Sequence, residues 1–233
     1  MAEPAYTRIA DVLRSRIRSG ELVAHRSLPP ERDLCEDFGV SRMTARRALV
    51  LLEEEGLVYR DGNRGTFVSE PRIPLRLGSF SDEVRRLGYN PTANVVWAEY
   101  RIPEPEVAEA LQVADGQRVI AIRRVRKVNG VAIAIETSYY AESLAPGFLD
   151  GNLDGSLWQE LSERFGVLIA GTRAQMEVVV LPEDLATLLS VRRGAQGIQL
   201  TRNSTGVDGS PVEYAVDVYR ADRVSLVIDR QFT

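Results

Sequence analysis

Three glycines, Gly20, Gly39 and Gly56, cut the first 56 residues into helical periods too short for anything but a small bundle. The first period runs from about Tyr6 to Ser19 and repeats Ile9, Val12, Leu13 and Ile17 at helical spacing, with Gly20 where a C-terminal cap belongs. Pro29 and Pro30 suit entry into a second helix, ERDLCEDF, which stops at Gly39. Ser41 stands at the N-cap of a third, whose Ala45, Ala48, Leu49 and Leu52 share one face as the buried stripe, and Gly56 closes it. Two short strands, LVYR and GTFVS, then flank DGNRG, a turn of residues that tolerate positive φ. Three helices followed by a hairpin make a winged helix-turn-helix.

The chain has 233 residues, longer than one domain of ordinary size, which leaves room for a second unit. Two prolines and weak periodicity in SEPRIPLRLG predict a linker over 71–79, between domains at 1–70 and 80–233. The second domain alternates strand candidates (NVVWAEYR, RVIAIRRVRKV, VAIAIETSYY, AQMEVVVL, GIQLTRNST, PVEYAVDVYR) with helical segments (SFSDEVRRLG, PEVAEALQV, SLWQELSERFG, PEDLATLLSV). VNGVAI and GVDGSPV have hairpin-turn composition, so the expected class is α+β, an antiparallel sheet with helices packed on it.

Single copies of cysteine (Cys35) and histidine (His25) rule out an internal disulfide and the usual Cys-rich or His-rich metal sites, and leave little material for a histidine-dependent triad. No metal and no cofactor is expected. No apolar run approaches the roughly 18 to 20 residues of a membrane span, and the first 20 residues lack the apolar core of a secretory leader, so the expectation is a cytoplasmic protein that does not enter membranes. The net charge is −4, and residues 1–70 carry 11 arginines against 12 carboxylates. Any contact with a polyanion must therefore be a local patch.

GVSRMTARR, residues 39–47, is such a patch. Its arginines lie off the apolar stripe, on the first turns of a helix that follows another helix through a short turn, the arrangement that enters a major groove. SLPPERDLCEDFGVSRMTARRALVLLEEEGLVYRDGNRGTFV, 42 consecutive residues, resembles the DNA-binding signature of the GntR family of bacterial transcription regulators. The later segments RRVRKVNGVAIAIETSYY and SPVEYAVDVYRADR resemble the effector-binding UTRA domain of that family's HutC branch.

The resemblance implies DNA contacts from Arg32, Ser41, Arg42, Thr44 and Arg46, with Arg47 beside a phosphate. It also implies a wing tip over Gly62 to Gly65 from which Arg64 reaches the minor groove. Met43 departs from the small or polar residue usual at its position. For the second domain the resemblance implies a chorismate lyase-like fold and a small anionic effector, a phosphosugar, phosphonate, phosphate or carboxylate, held by Arg124 and Arg126. Glu213 and Tyr219 match positions that hold ligand hydroxyls, and Ser81, near a helix start, is a further candidate donor. The expected protein is a ligand-responsive repressor bound as a homodimer to a palindromic operator. An enzyme tethered to DNA is the rival reading, and no nucleophile–base pair supports it.

Two-residue alternation puts Ile120, Ile122, Arg124, Arg126 and Val128 on one strand face. A two-residue turn at Asn129–Gly130 would send Glu136 to the face opposite the arginines. A three-residue loop would pair Arg126 with Ala132, Arg124 with Ala134 and Ile122 with Glu136, closing the arginine face with a carboxylate. The resemblance implies a binding role for Glu136, so the three-residue register is the expected one.

Overall fold

The computed structural model describes residues 4–62, 64–70 and 72–228, which divide into two compact units at residues 72 and 73. The first unit holds α1 (Ala5–Arg18), α2 (Glu31–Phe38), α3 (Arg42–Glu54) and the hairpin β1 (Val58–Arg60) and β2 (Thr66–Val68). Gly39 caps α2 at φ 64°, a left-handed turn that costs glycine nothing. Ser41 then caps α3 by accepting from the Thr44 N–H, an interaction worth about 1 kcal/mol. Ile9, Leu13, Leu34, Ala45, Ala48, Leu49, Leu52 and Val58 form one core, against which Cys35 packs. The expected winged helix-turn-helix is what these elements build.

The second unit holds β3 (Ile73–Leu75), α4 (Phe80–Arg86), β4 (Pro91–Arg101), α5 (Pro105–Leu111), β5 (Val119–Val128), β6 (Val131–Ala141), α6 (Leu157–Phe165), β7 (Ile169–Val180), α7 (Glu183–Leu188), β8 (Gln196–Gly206), β9 (Pro211–Arg220) and β10 (Val224–Leu226). Six strands make an antiparallel sheet in the order β4-β5-β6-β9-β8-β7. Residues 73–75, inside the stretch read as a linker, pair in parallel with β10. Pro71, in the same stretch, and the chain end from 229 lie outside the described residues.

Helices cover both sheet faces. Val107 and Leu111 of α5 and Ala186 of α7 pack on one face, against Val119, Val125, Ile135, Tyr214 and Val218. Phe80 and Val84 of α4 and Leu157 and Leu161 of α6 pack on the other. The central strands are therefore buried on both sides, and each fully covered Ile120 or Ile122 contributes about 1.5 to 3 kcal/mol. In β9 the Glu213, Ala215, Asp217, Tyr219 face is buried throughout, while Val216 on the valine face is half-buried, so the polar face is interior rather than solvated.

The β5–β6 hairpin departs from the expected register. Asn129 (φ 49°) and Gly130 (φ 83°) form a two-residue turn with both φ values positive, the geometry that Asn-Gly favours, and Val128 faces Val131. Lys127 pairs with Ala132, but Arg126 pairs with Ala134, so Ile133 is an extra residue on β6. This bulge restores the parity that the turn alone would reverse. Ala134 then lies opposite Arg126 and Glu136 opposite Arg124. The three-residue loop is absent, yet Glu136 shares the face of the arginines.

Candidate functional site

On the first unit, α3 turns Ala45, Ala48, Leu49 and Leu52 inward and leaves Arg42, Met43, Arg46 and Arg47 exposed. Met43 is 73% exposed, a large apolar side chain at the centre of this surface. Ser41 and Thr44 stand together at the helix start, their hydroxyl oxygens 2.9 Å apart. The Nε of Arg42 donates to Glu31 at 2.9 Å, and Arg32 lies beside Asp33 and Glu36. The guanidinium of Arg47 stacks over the Tyr6 ring at 4.3 Å, which aims it along the domain toward α1. At the wing, Arg64 donates to Asp61 at 2.9 Å and Gly65 takes φ 117°, a conformation unsuited to a side chain. Asn63 of the 62–65 tip lies outside the described residues. Ser41, Arg42, Thr44 and Arg46 thus converge on one helix end, with Arg32 on the preceding helix and Arg64 and Gly65 on the wing.

On the second unit, strand parity places Arg124 and Arg126 of β5, Glu136 of β6, Asp217 and Glu213 of β9 and Arg202 of β8 on one sheet face, beneath α4 and α6. Three guanidiniums and three carboxylates are buried there together. Arg124 donates through Nε to Glu136 Oε2 at 2.8 Å, with a second, shorter bond from Nη2. Its Nη1 donates to the Leu153 and Gly155 carbonyls at 2.6 and 2.8 Å. Arg126 donates to the same Glu136 oxygen at 3.2 Å and to Ser81 Oγ at 2.6 Å, and lies over the Phe80 ring at 4.6 Å. Arg202 donates to Asp217 Oδ2 at 2.9 Å and lies 3.5 Å from Glu213 and 5.5 Å over the Trp158 ring.

The charges do not share this burial equally. Burial acts to raise Glu136, but Arg124 and Arg126 overcome it and hold the carboxyl at about 2. Asp217 has half of one arginine and two neighbouring carboxylates, so burial, with Glu136 and Glu213, pushes it up to about 7 against the pull of Arg202. Burial, assisted by Arg124, lowers Arg126 against the pull of Glu136. Asp217 Oδ1, Arg126 Nε, Arg202 Nη1 and the Ser138 hydroxyl are buried without a hydrogen-bond partner.

The cavity at this cluster is bounded by Gly78, Ser81, Arg124, Glu136, Ser156 and Trp158, and its free volume is about 10 Å³, space for about one water. Of the residues expected at an effector site, Ser81, Arg124, Arg126 and Glu136 line it. Ser81 is not the helix cap, a place taken by Ser79, and its hydroxyl accepts from Arg126. Glu213 lies deeper, accepting from Tyr140 at 2.6 Å, Trp158 at 3.1 Å and Ser204 at 3.2 Å. Tyr219 packs near Phe80 with the apolar residues under α4. Neither borders the cavity. Arg202, Asp217 and Trp158 are the participants that sequence reasoning did not assign to the site. The clue to Arg202 was a basic residue at an inward position of an alternating strand, legible only once the β8–β9 register was known.

Among the described residues no helix is long and apolar enough to cross a membrane, and no cluster of histidine, cysteine and carboxylate could hold a metal. Residues 5–68 match the family model for bacterial regulatory proteins of the gntR family, and residues 86–225 match the UTRA domain. The chain is 31% identical over 227 residues to the HTH-type transcriptional repressor NagR of Bacillus subtilis (strain 168), covering 96% of this chain and 93% of that one. It is 29% identical over 204 residues to the histidine utilization repressor of Pseudomonas aeruginosa, covering 86% and 81%. The crystal structure of PhnF from Mycobacterium smegmatis superposes with a TM-score of 0.70 at 25% identity, covering 97% of this chain and all of that one. With the reading helix and wing at one end of the sequence and the double-covered sheet at the other, the chain belongs to the GntR family of bacterial transcription regulators, in the branch that carries a UTRA domain.

Proposed function

We propose that the protein is a cytoplasmic transcriptional repressor that binds a palindromic operator as a homodimer and loosens or shifts its hold when a small oxyanion enters the second unit. The observation that carries this reading is the pairing of two built features: an α3 surface of Arg42, Met43 and Arg46 free of the core, and a buried face with Arg124 and Arg126 aimed at one point. Residues 1–70 read DNA. Arg42 and Arg46 reach base edges, Ser41, Thr44, Arg32 and Arg47 hold phosphates, and Arg64 beside Gly65 enters the minor groove. Residues 80–233 sense the effector through Ser81, Arg124 and Arg126, with Glu136, Glu213 and Tyr219 shaping the site. The effector class is a phosphosugar, phosphonate, phosphate or carboxylate.

The homodimer is assigned to β7, one of the sheet's two edge strands, which exposes Met176, Val178 and Val180 on one face. Its sequence is self-complementary. Antiparallel pairing with a second copy about Gln175 sets Arg173 against the partner's Glu177, so each edge satisfies the other's backbone and charge. The reading is tested by titrating candidate oxyanions onto the chain bound to its operator. A fall in DNA affinity that Arg126→Ala removes, with no chemical change in the ligand, supports it. Turnover of the ligand contradicts it.

A further inference from the structure

Glu136 sits where an effector's anion would have to sit. Its Oε2 receives three N–H groups from two guanidiniums, Arg124 Nε and Nη2 and Arg126 Nη1, the set a bound phosphate or carboxylate oxygen would use. The other N–H groups that Arg124 turns outward are held by the Leu153 and Gly155 carbonyls, and Nη2 of Arg126 is held by Ser81. With about 10 Å³ left free, no oxyanion can be added beside the carboxylate. Neutralising Glu136 is no way out near neutral pH, because the two arginines keep it ionised.

We infer that Glu136 is a resident competitor of the effector, an internal anion that occupies Arg124 and Arg126 in the free protein and must swing off them before an external oxyanion can bind. The inference rests on the proposed role of those arginines and adds a selectivity device to it. Every simple anion pays the same displacement cost, so abundant ones are turned away together. A true effector must recover that cost through further contacts, for which Arg126 Nε, buried without a hydrogen-bond partner, is available. The bulge at Ile133 is part of the device, since it brings the carboxylate to the arginine face.

Inorganic phosphate is the probe, titrated calorimetrically into the full chain, its Glu136→Gln variant and the Arg124→Ala/Glu136→Gln double variant. Removing the internal charge while keeping the side chain's shape should tighten phosphate binding by about tenfold or more, and the double variant should lose that gain. A folded Glu136→Gln protein that binds phosphate no better than wild type overturns the inference. Tightening that survives the loss of Arg124 overturns instead the reading of the arginines as the anion site. Should Glu136→Gln not fold, a crystal structure of wild type at high phosphate decides. Phosphate in place of the Glu136 carboxylate supports the inference, and phosphate bound with the Glu136–Arg124 pair intact overturns it.

Discussion

Arg124 and Glu136 are direct cross-strand partners, 2.8 Å apart from Nε to Oε2, although the two-residue turn joining their strands would by itself put them on opposite faces. One residue, Ile133, makes the difference. Deleting Ile133 should send Glu136 toward the α5 and α7 face and leave Arg124 and Arg126 buried without their counter-charge. The expected loss is about 3 to 5 kcal/mol, close to that of Glu136→Ala, because both strip a buried ion pair of one partner. Urea unfolding measures it, and a deletion variant as stable as wild type would show that the bulge does not set the register.

Arg42→Ala and Arg46→Ala should each weaken specific DNA binding by roughly 1 to 3 kcal/mol with the fold intact, since both side chains are exposed. Arg47→Ala should behave differently. It removes a phosphate partner, lowering affinity for all sequences alike, and it removes the stack on Tyr6, costing about 0.5 to 1 kcal/mol of stability. Fluorescence anisotropy with specific and scrambled duplexes separates the two behaviours, and an Arg46→Ala protein with unchanged preference would sink the assignment of α3.

The buried cluster should make stability depend on pH. Asp217 titrates at about 7 when folded, against an ordinary 3.8. A carboxyl whose pKa is raised by folding favours the folded state fully below its unfolded value and loses that contribution as the pH climbs to its folded value. Unfolding free energy should therefore fall between pH 4 and pH 7 on account of Asp217, a window inside the range its values of 3.8 and about 7 define. Asp217→Asn should flatten that slope. An unchanged slope in denaturant titrations across the window would contradict the assignment.

For the edge-strand dimer, Arg173→Glu puts like charges opposite each other twice across the two-fold axis and should weaken association by roughly 0.5 to 2 kcal/mol. Adding Glu177→Arg should restore it. Sedimentation of the three proteins reads the result, and a dimer indifferent to Arg173→Glu would move the interface elsewhere.

Much of the fold was legible from local signals. Ser41, Gly39 and the Ala45 to Leu52 stripe mark α2 and α3 because caps and periodicity act within a few residues. The six sheet strands were legible as candidate segments, with β7 beginning earlier than its apolar run because Gly171 and a local irregularity interrupt the pattern. β3 was not, since three residues paired with a strand about 150 residues later leave no local trace. Glu136 was placed on the right face through the wrong register. Parity is preserved by either a longer loop or a bulge, and the bulge at Ile133 carries no glycine to announce it. The full extent of the buried charge cluster was hidden for the same reason: Arg202 and Asp217 meet only through the β8–β9 register, and their pair adds a third guanidinium and a third carboxylate to that face.

The central claim is that this chain reads an inverted repeat through paired α3 helices. Selection of bound duplexes from a random-sequence pool by the full chain tests it most directly. The account predicts enrichment of two half-sites related by a two-fold axis, lost when Arg42→Ala and Arg46→Ala are combined. Recovery of no preferred sequence, or of a single half-site bound by one chain, would contradict it.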